Sequence, residues 1–453
     1  MMKFIPLGGA NEIGSSCFYL NVDGTGIILD CGMHPNKIGI DALPNLELIA
    51  NKEVDFVFIS HAHHDHIGAL PSLVKQHPYI KIFTTPQTRA IAEITLHNAV
   101  SILEEQADKG SLLNPYTHDE IDLLIKSMNY NEIGNQFEIS GFKNFNKDNI
   151  KVLFMDAGHI LGSAGILIEH NDKRIFYTGD INLSDQAIIK GASLKNQKVD
   201  TLILETTYGA TDSSDVPRWF NEAKRIAFEA NQIIENGGSI LIPVFSLGKM
   251  QETLATVWQL MNSGLLIKTD IYTGGIGKKI NRIYDYNRYV TRRVDQDLEL
   301  TEIPQKDIYE IDINEFRKNP SIVLAPSGMV IEGTLSYNLV REWLNFNKFA
   351  IFIVGYMDPS APGYVIANSK KGDKIQLNDL QEPQEVKCSI HKFRFSSHSK
   401  REDLLEIVKM LNPQRVILIH GDSDAISWVG YNILKKYPHI KVHKADNGKE
   451  IEI

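Results

Sequence analysis

Fifteen histidines are spread over the chain, yet His61, His63, His64 and His66 fall within six residues beside Asp65, in FVFISHAHHDHIGAL at 56–70. The apolar run before them reads as a strand and the run after them as a helix. The histidines therefore sit at a strand's C-terminal end, where α/β folds collect chemistry. In H-x-H-x-D-H, the first two histidines can point the same way on an extended segment. Asp65 and His66 turn into the helix and can face a second point, so one loop can serve two adjacent metal ions. Imidazole and carboxylate without thiolate suit Zn²⁺ best, with Mn²⁺ the alternative.

Such a pair needs ligands from other strand ends. DAGHILGSAG follows KVLFM and presents His159 between glycines. YTGDIN presents Asp180, whose two oxygens can bridge two ions, and ILDCGMHP presents Asp30, either a ligand or an acceptor that fixes a histidine tautomer. His420 ends the mostly apolar strand RVILI, where an imidazole needs a partner. His398, in FSSHSKRED, precedes a helical run beginning near Arg401, so the residues alone leave it open between a capping and a catalytic group. Ser396 and Ser397 suit a helix start and could donate hydrogen bonds to a phosphate. His77, His97, His118, His170, His439 and His443 stand alone in polar or helical contexts and read as surface or packing residues.

The elements that position these residues alternate. Short β-branched runs at 56–60, 151–155, 174–179, 201–206 and 415–421 interleave with helical patterns, which reads as α/β layers. From 215 to 262 two long amphipathic patterns flank a buried strand, SILIPV, a change of rhythm that marks a second domain. After Gln384 short strands return, with one helix at 404–411 and a closing KEIEI strand. At 453 residues the length predicts several domains, each able to bury its own core. Cys17, Cys31 and Cys388 form no C-x-x-C pair, which excludes a thiolate zinc knuckle and suggests a reducing compartment, by default the cytoplasm. No apolar stretch suits a membrane span or an export signal. A net charge of −9 places any polyanion site in a local basic patch. The most basic stretch, 278–293, carries Lys278, Lys279, Arg282, Arg288, Arg292 and Arg293 against Asp285, interleaved with Tyr284, Tyr286 and Tyr289. It reads either as a single-strand binder or as a solvated helix with tyrosines packed on its back. GGIGKK at 274–279 lacks the spacing of a Walker loop, so no nucleotide cofactor is expected.

H-x-H-x-D-H together with LDCG, AGHILGSA and YTGDIN resembles the metallo-β-lactamase fold. ILETTYG, FSSHSKREDLL and ILIHGD resemble the further motifs of its β-CASP branch, the nucleic-acid-processing nucleases. The resemblance covers nearly the whole chain and is nearest to RNase J-like enzymes and to the endonuclease of pre-mRNA 3′-end cleavage. It implies an αββα sandwich with an inserted α/β cap: a lactamase domain over 1–207, a β-CASP cap over 208–385 that closes over the site, and a completing lactamase segment over 386–453.

By the same resemblance His61, His63 and His159 hold one zinc, Asp65, His66 and His420 a second, and Asp180 bridges them. Asp30 orients ligands, and Glu205 pairs with His398 near the leaving group. The implied activity is hydrolysis of single-stranded RNA, internally or from the 5′ end, by a water that two Zn²⁺ bring to a pKa of about 7. Asp65 holds the nucleophile's proton and His398 donates to the departing 3′-oxygen. Lys278, Lys279, Arg282, Ser396 and Ser397 are the expected RNA contacts. DNA-preferring members commonly carry valine where His420 stands, so His420 favours RNA over the alternative, a DNA nuclease on this scaffold. A small-molecule metallohydrolase would not need Glu205, His398 and His420. In APSGMVIEG, Ser327 replaces the family's usual proline, and GYMDPSAPGYVI lacks the usual E-G-T, which bears on substrate grip and not on the ligands. The chain reads as a bare catalytic core, without RNA-binding KH domains or an RNase J-type C-terminal domain, and leaves room for a homodimer.

Overall fold

The computed structural model describes residues 2–37, 39–108, 116–143, 149–194, 197–310, 312–355, 357–378 and 382–453. The chain divides into two compact units, one of Met1–Ser184, Lys190–Ser213 and Ser397–Ile453, the other of Asp185–Ile189 and Ser214–Ser396.

The first unit holds two seven-stranded sheets. One runs, in spatial order, Ile451–Glu452, Lys3–Gly8, Cys17–Val22, Thr25–Leu29, Phe56–Phe58, Lys81–Thr84 and Asn129–Tyr130. The other runs Lys441–Lys444, Arg415–Ile419, Thr201–Glu205, Lys173–Tyr177, Ala164–His170, Ile150–Asp156 and Gln136–Ile139. Because side chains alternate across a strand, the five inner strands of the second sheet feed two cores. Ile203 and Ile417 join Phe18, Leu29, Phe58 and Phe154 in the core between the sheets. Leu202, Leu204, Val416 and Leu418 face the opposite way, onto Leu404, Leu405 and Val408 of the helix Arg401–Leu411 and Ile426 and Val429 of the helix Ser423–Lys436. Burial on both faces explains the near-continuous apolar runs TLILE and RVILI.

The second unit is built on a six-stranded, wholly parallel sheet in the order Lys306–Asp307, Asp270–Thr273, Ser321–Ala325, Ile240–Pro243, Ala350–Ile353 and Ser389–Lys392. The amphipathic patterns over 215–262 form the helices Trp219–Glu235 and Lys249–Asn262, which precede and follow its strand Ile240–Pro243 along the chain. Trp343, Phe316 and Phe349 pack in its core.

The division differs from the sequence boundaries at 207 and 385. Ser389–Lys392 pairs with Ala350–Ile353 and so belongs to the cap sheet, and the chain returns to the lactamase unit only at Ser397. Asp185–Ile189 also leaves the lactamase unit, because the N–H groups of Ile188 and Ile189 donate to buried Glu252 of the cap helix, at 2.8 and 3.1 Å. Nothing in the local composition marks that excursion.

Candidate metal centre

The strand Phe56–Phe58 ends in an extended stretch whose last residue, His63, caps the short helix His64–Ile67. His61 and His63 precede the helix while Asp65 and His66 ride on it, the split expected from the spacing. Two strand ends of the second sheet complete the arrangement. His159 follows Gly158, whose positive φ of 67° few other residues adopt. Asp180 follows Gly179, φ 53°, where an added Cβ would lie 2.7 Å from that of Ser60.

Two clusters result. His61 Nε2 lies 3.1 Å and His159 Nε2 3.0 Å from His63 Nδ1, and Asp180 Oδ2 stands 3.5 Å from His61 and 3.6 Å from His159. Asp180 Oδ1 instead lies 3.3 Å from His66 Nε2 and 3.3 Å from His420 Nδ1, and Asp65 Oδ2 lies 3.7 Å from His66 and 3.5 Å from His420 Nε2. One carboxylate thus turns a different oxygen to each cluster. Ligand atoms about 2.0 Å from a tetrahedral ion stand roughly 3.3 Å apart, the spacing seen here. Among the described residues His66 Nε2, His420 Nε2 and Asp180 Oδ1 are buried without a hydrogen-bond partner, a costly state that a cation relieves. The residues present therefore fit two divalent ions.

The remaining ring nitrogens are fixed from behind. Asp30, fully buried, accepts from Ser60 N and Oγ at 2.6 Å each, from Tyr177 OH at 2.6 Å and from His66 Nδ1 at 2.8 Å. Ser60 gives its proton to Asp30, so its oxygen accepts from His61 Nδ1 at 2.9 Å. His159 Nδ1 donates to the carbonyl of Ser397 at 2.8 Å. His61, His66 and His159 thus turn Nε2 inward, while His63 turns Nδ1 to its cluster. Asp30 and His420 adopt positive φ, 58° and 49°, left-handed backbone that side chains other than glycine rarely take and that collects at functional sites. Asp30 thus lies behind the histidines as a shared acceptor.

Burial holds His61, His63 and His159 below the ordinary imidazole range and keeps them neutral. Burial opposes ionisation of Asp180 and Asp65 too, but the neighbouring His66 and His420 outweigh it and hold both carboxyls low. His66 is raised, because Asp180 and Asp65 overcome its burial. Where ions bind, they take over that proton's role.

Beside the first cluster, His398 Nδ1 donates to Glu205 Oε1 at 3.1 Å, and its ring lies 4.5 Å from that of His159. Glu205 also accepts from Ile181 N at 3.1 Å and Thr207 N at 2.9 Å. Burial would lower His398, but the charge and hydrogen bond of Glu205 outweigh it and raise the ring above the ordinary imidazole value.

Other expectations are redrawn. The helix after His398 starts at Arg401 with Lys400 as its N-cap, so Ser396 and Ser397 do not begin it; Ser397 serves through its carbonyl. Of the basic stretch, Lys278 pairs with Asp307 at 2.9 Å, Arg288 pairs with Glu299 at 2.7 Å, and Arg293 is buried. Lys279, Arg282 and Tyr286 are exposed and share one face of the helix Gly277–Tyr286, while Tyr284 is buried beneath it. His97 and His118 are not alone: their Nδ1 atoms lie 2.8 Å apart. Position 356, in the divergent loop GYMDPSAPGYVI, lies outside the described residues. Sequence reading missed Ser60, Tyr177 and Thr207, whose hydroxyl lies 3.2 Å from His420 Nδ1. The available signal was a hydroxyl side chain at an apolar strand's end, which must find a partner when buried.

The fold and site define a member of the metallo-β-lactamase superfamily. Residues 19–208 match the "Metallo-beta-lactamase superfamily domain", 250–366 the "Beta-Casp domain" and 383–443 the "Zn-dependent metallo-hydrolase RNA specificity domain". The chain is 31% identical to "Probable RNase MJ4" of Methanocaldococcus jannaschii, over 93% of each chain. It is 28% identical to "Cleavage and polyadenylation specificity factor subunit 3" of Dictyostelium discoideum, over all of this chain but only 57% of that relative's length. A solved structure of a protein of unknown function from Enterococcus faecalis shares the fold, with a TM-score of 0.57 at 13% identity and full coverage of both chains. The chain belongs to the β-CASP ribonuclease family, the family that its motifs resemble.

Proposed function

We propose that this chain is a two-zinc ribonuclease that hydrolyses phosphodiester bonds of single-stranded RNA, internally, from the 5′ end, or both. The observation that carries the reading is Asp180, which turns one oxygen to each nitrogen cluster, with His398 next to the first. Two divalent ions, Zn²⁺ by the donor set, would supply a hydroxide at neutral pH and offset the charge that develops on the phosphoryl oxygens.

The chain's own residues do the rest. Asp30 and Ser60 hold His61 and His66 in the ligating tautomer. Asp65, at the rim of its cluster and 21% exposed, is placed to hold the nucleophile's proton. Hydroxide attack on phosphorus breaks the bond to the 3′-oxygen. His398 donates the proton that this oxygen takes up, leaving a 3′-hydroxyl and a 5′-phosphate, and Glu205 steadies the ring throughout. Lys279 and Arg282 are the exposed cations of the cap helix available to phosphates.

Incubating the protein and Zn²⁺ or Mn²⁺ with a 5′-labelled RNA and a matched single-stranded DNA tests this. Discrete RNA fragments mean internal cutting and released mononucleotides mean 5′-end action. Cleavage of DNA alone, or of neither, overturns the proposal.

A further inference from the structure

Lys249 opens the cap helix Lys249–Asn262, yet it is only 8% exposed and faces inward. Its ammonium donates to the carbonyl of Phe395 at 2.6 Å and lies 5.4 Å from the ring centroid of Trp219. That indole packs on Phe395, centroids 4.6 Å apart, and its N–H donates to Thr256 on the same helix at 3.0 Å. Burying a cation for one carbonyl is expensive, and an apolar side chain would fill the space at less cost. Burial pulls the ammonium down to about 8, with Glu252 opposing. The expense is local to one stretch of backbone, the last before the chain leaves the cap.

That stretch is held at three successive points. Arg225 donates to the carbonyl of Lys392, the N–H of Arg394 donates to buried Glu222 at 2.6 Å, and Lys249 takes Phe395. Two residues on, the Ser397 carbonyl accepts from His159, and the next residue is His398. One helical turn beyond Lys249, Glu252 grips Ile188 and Ile189, eight residues after Asp180. The same turn of helix therefore holds both passages of chain that lead to groups of the candidate centre.

We propose that Lys249 is a positioning residue for His398: by fixing the Phe395 carbonyl it sets the backbone of the loop that aims the imidazole at the leaving oxygen. This rests on the ribonuclease reading. The role is mechanical, since Lys249 touches neither the ring nor the ligands. A loop that loses this anchor misplaces the acid, and a misplacement on the ångström scale costs about 10- to 100-fold in rate.

The test compares the full-length wild type with Lys249→Met and Lys249→Arg on single-stranded RNA and on bis(4-nitrophenyl) phosphate, whose leaving group departs without a proton. Lys249→Met should lower kcat on RNA by about 10- to 100-fold with KM unchanged. It should stay within about two-fold of wild type on the activated diester, where the acid is idle. Lys249→Arg, which keeps a donor and the charge, should recover most of the RNA rate. Backbone hydrogen exchange over 393–400 should quicken in Lys249→Met while that over 61–66 stays as in wild type. Equal loss on both substrates, or unchanged RNA turnover, overturns the inference. If the wild type cleaves neither substrate, the ribonuclease reading falls, and unaltered exchange over 393–400 would then dispose of the positioning role separately.

Discussion

Ser60 donates its hydroxyl proton to Asp30 across 2.6 Å, which obliges the same oxygen to accept from His61. Asp30 also takes the Nδ1 proton of His66, so one carboxylate sets the tautomer of a histidine in each cluster, directly in one and through a serine in the other. Ser60→Ala should weaken the ion at His61, His63 and His159 about 10- to 100-fold, the usual scale for an outer partner, and leave the second ion nearly untouched. Ser60→Thr should restore it. Chelator competition on the purified protein reads this, and equal loss at both positions would contradict the relay.

Asp180 serves both clusters, so its removal should not spare either. Asp180→Ala is expected to bring bound zinc from about two per chain to below one and to abolish hydrolysis. Elemental analysis after dialysis decides the matter; two retained ions would mean that the carboxylate does not bridge.

His398 lies outside both ligand sets. His398→Ala should keep its zinc and lose about 10² to 10⁴ in turnover on RNA. A turnover equal to wild type would remove the imidazole from the mechanism.

Glu252 and Lys249 give the cap a pH-dependent stability of known sign. Burial raises Glu252 from 4.5 to about 7, so its contribution is full below pH 4.5 and is lost as pH rises through 7, on the order of 3 kcal/mol. Lys249, lowered from 10.5 to about 8, gives a contribution present above pH 10.5 and lost as pH falls through 8. Cap stability should therefore pass through a minimum between pH 7 and 8. Glu252→Gln should flatten the fall between pH 5 and 7 in urea titrations that follow the cap; a slope identical to wild type would refute the assignment.

The candidate centre was largely legible in the sequence because the residues that cluster there stand at strand ends in short, chemically distinctive runs. His61 to His66 share one loop, and His159, Asp180 and His420 each follow an apolar strand. What escaped is what the third dimension decides. Ser60 and Tyr177 matter only because both face Asp30, and Tyr177 is 147 residues away from it. The cap's outer boundary slipped from 385 to 396 because Ser389–Lys392 could pair with either kind of sheet by its pattern, and register alone settles that. The charge of 278–293 was misleading because a sum of cations takes no account of Asp307 and Glu299, which lie farther along the chain.

Arg415–Ile419 is an interior strand, flanked by Thr201–Glu205 on one side and Lys441–Lys444 on the other, and it delivers His420. During synthesis the ribosome must therefore finish the whole cap before the last residue of the two clusters exists. A nascent polypeptide that stops short of this strand carries Asp65 and His66 but not the His420 that faces them, so the second cluster closes only after the cap has been made.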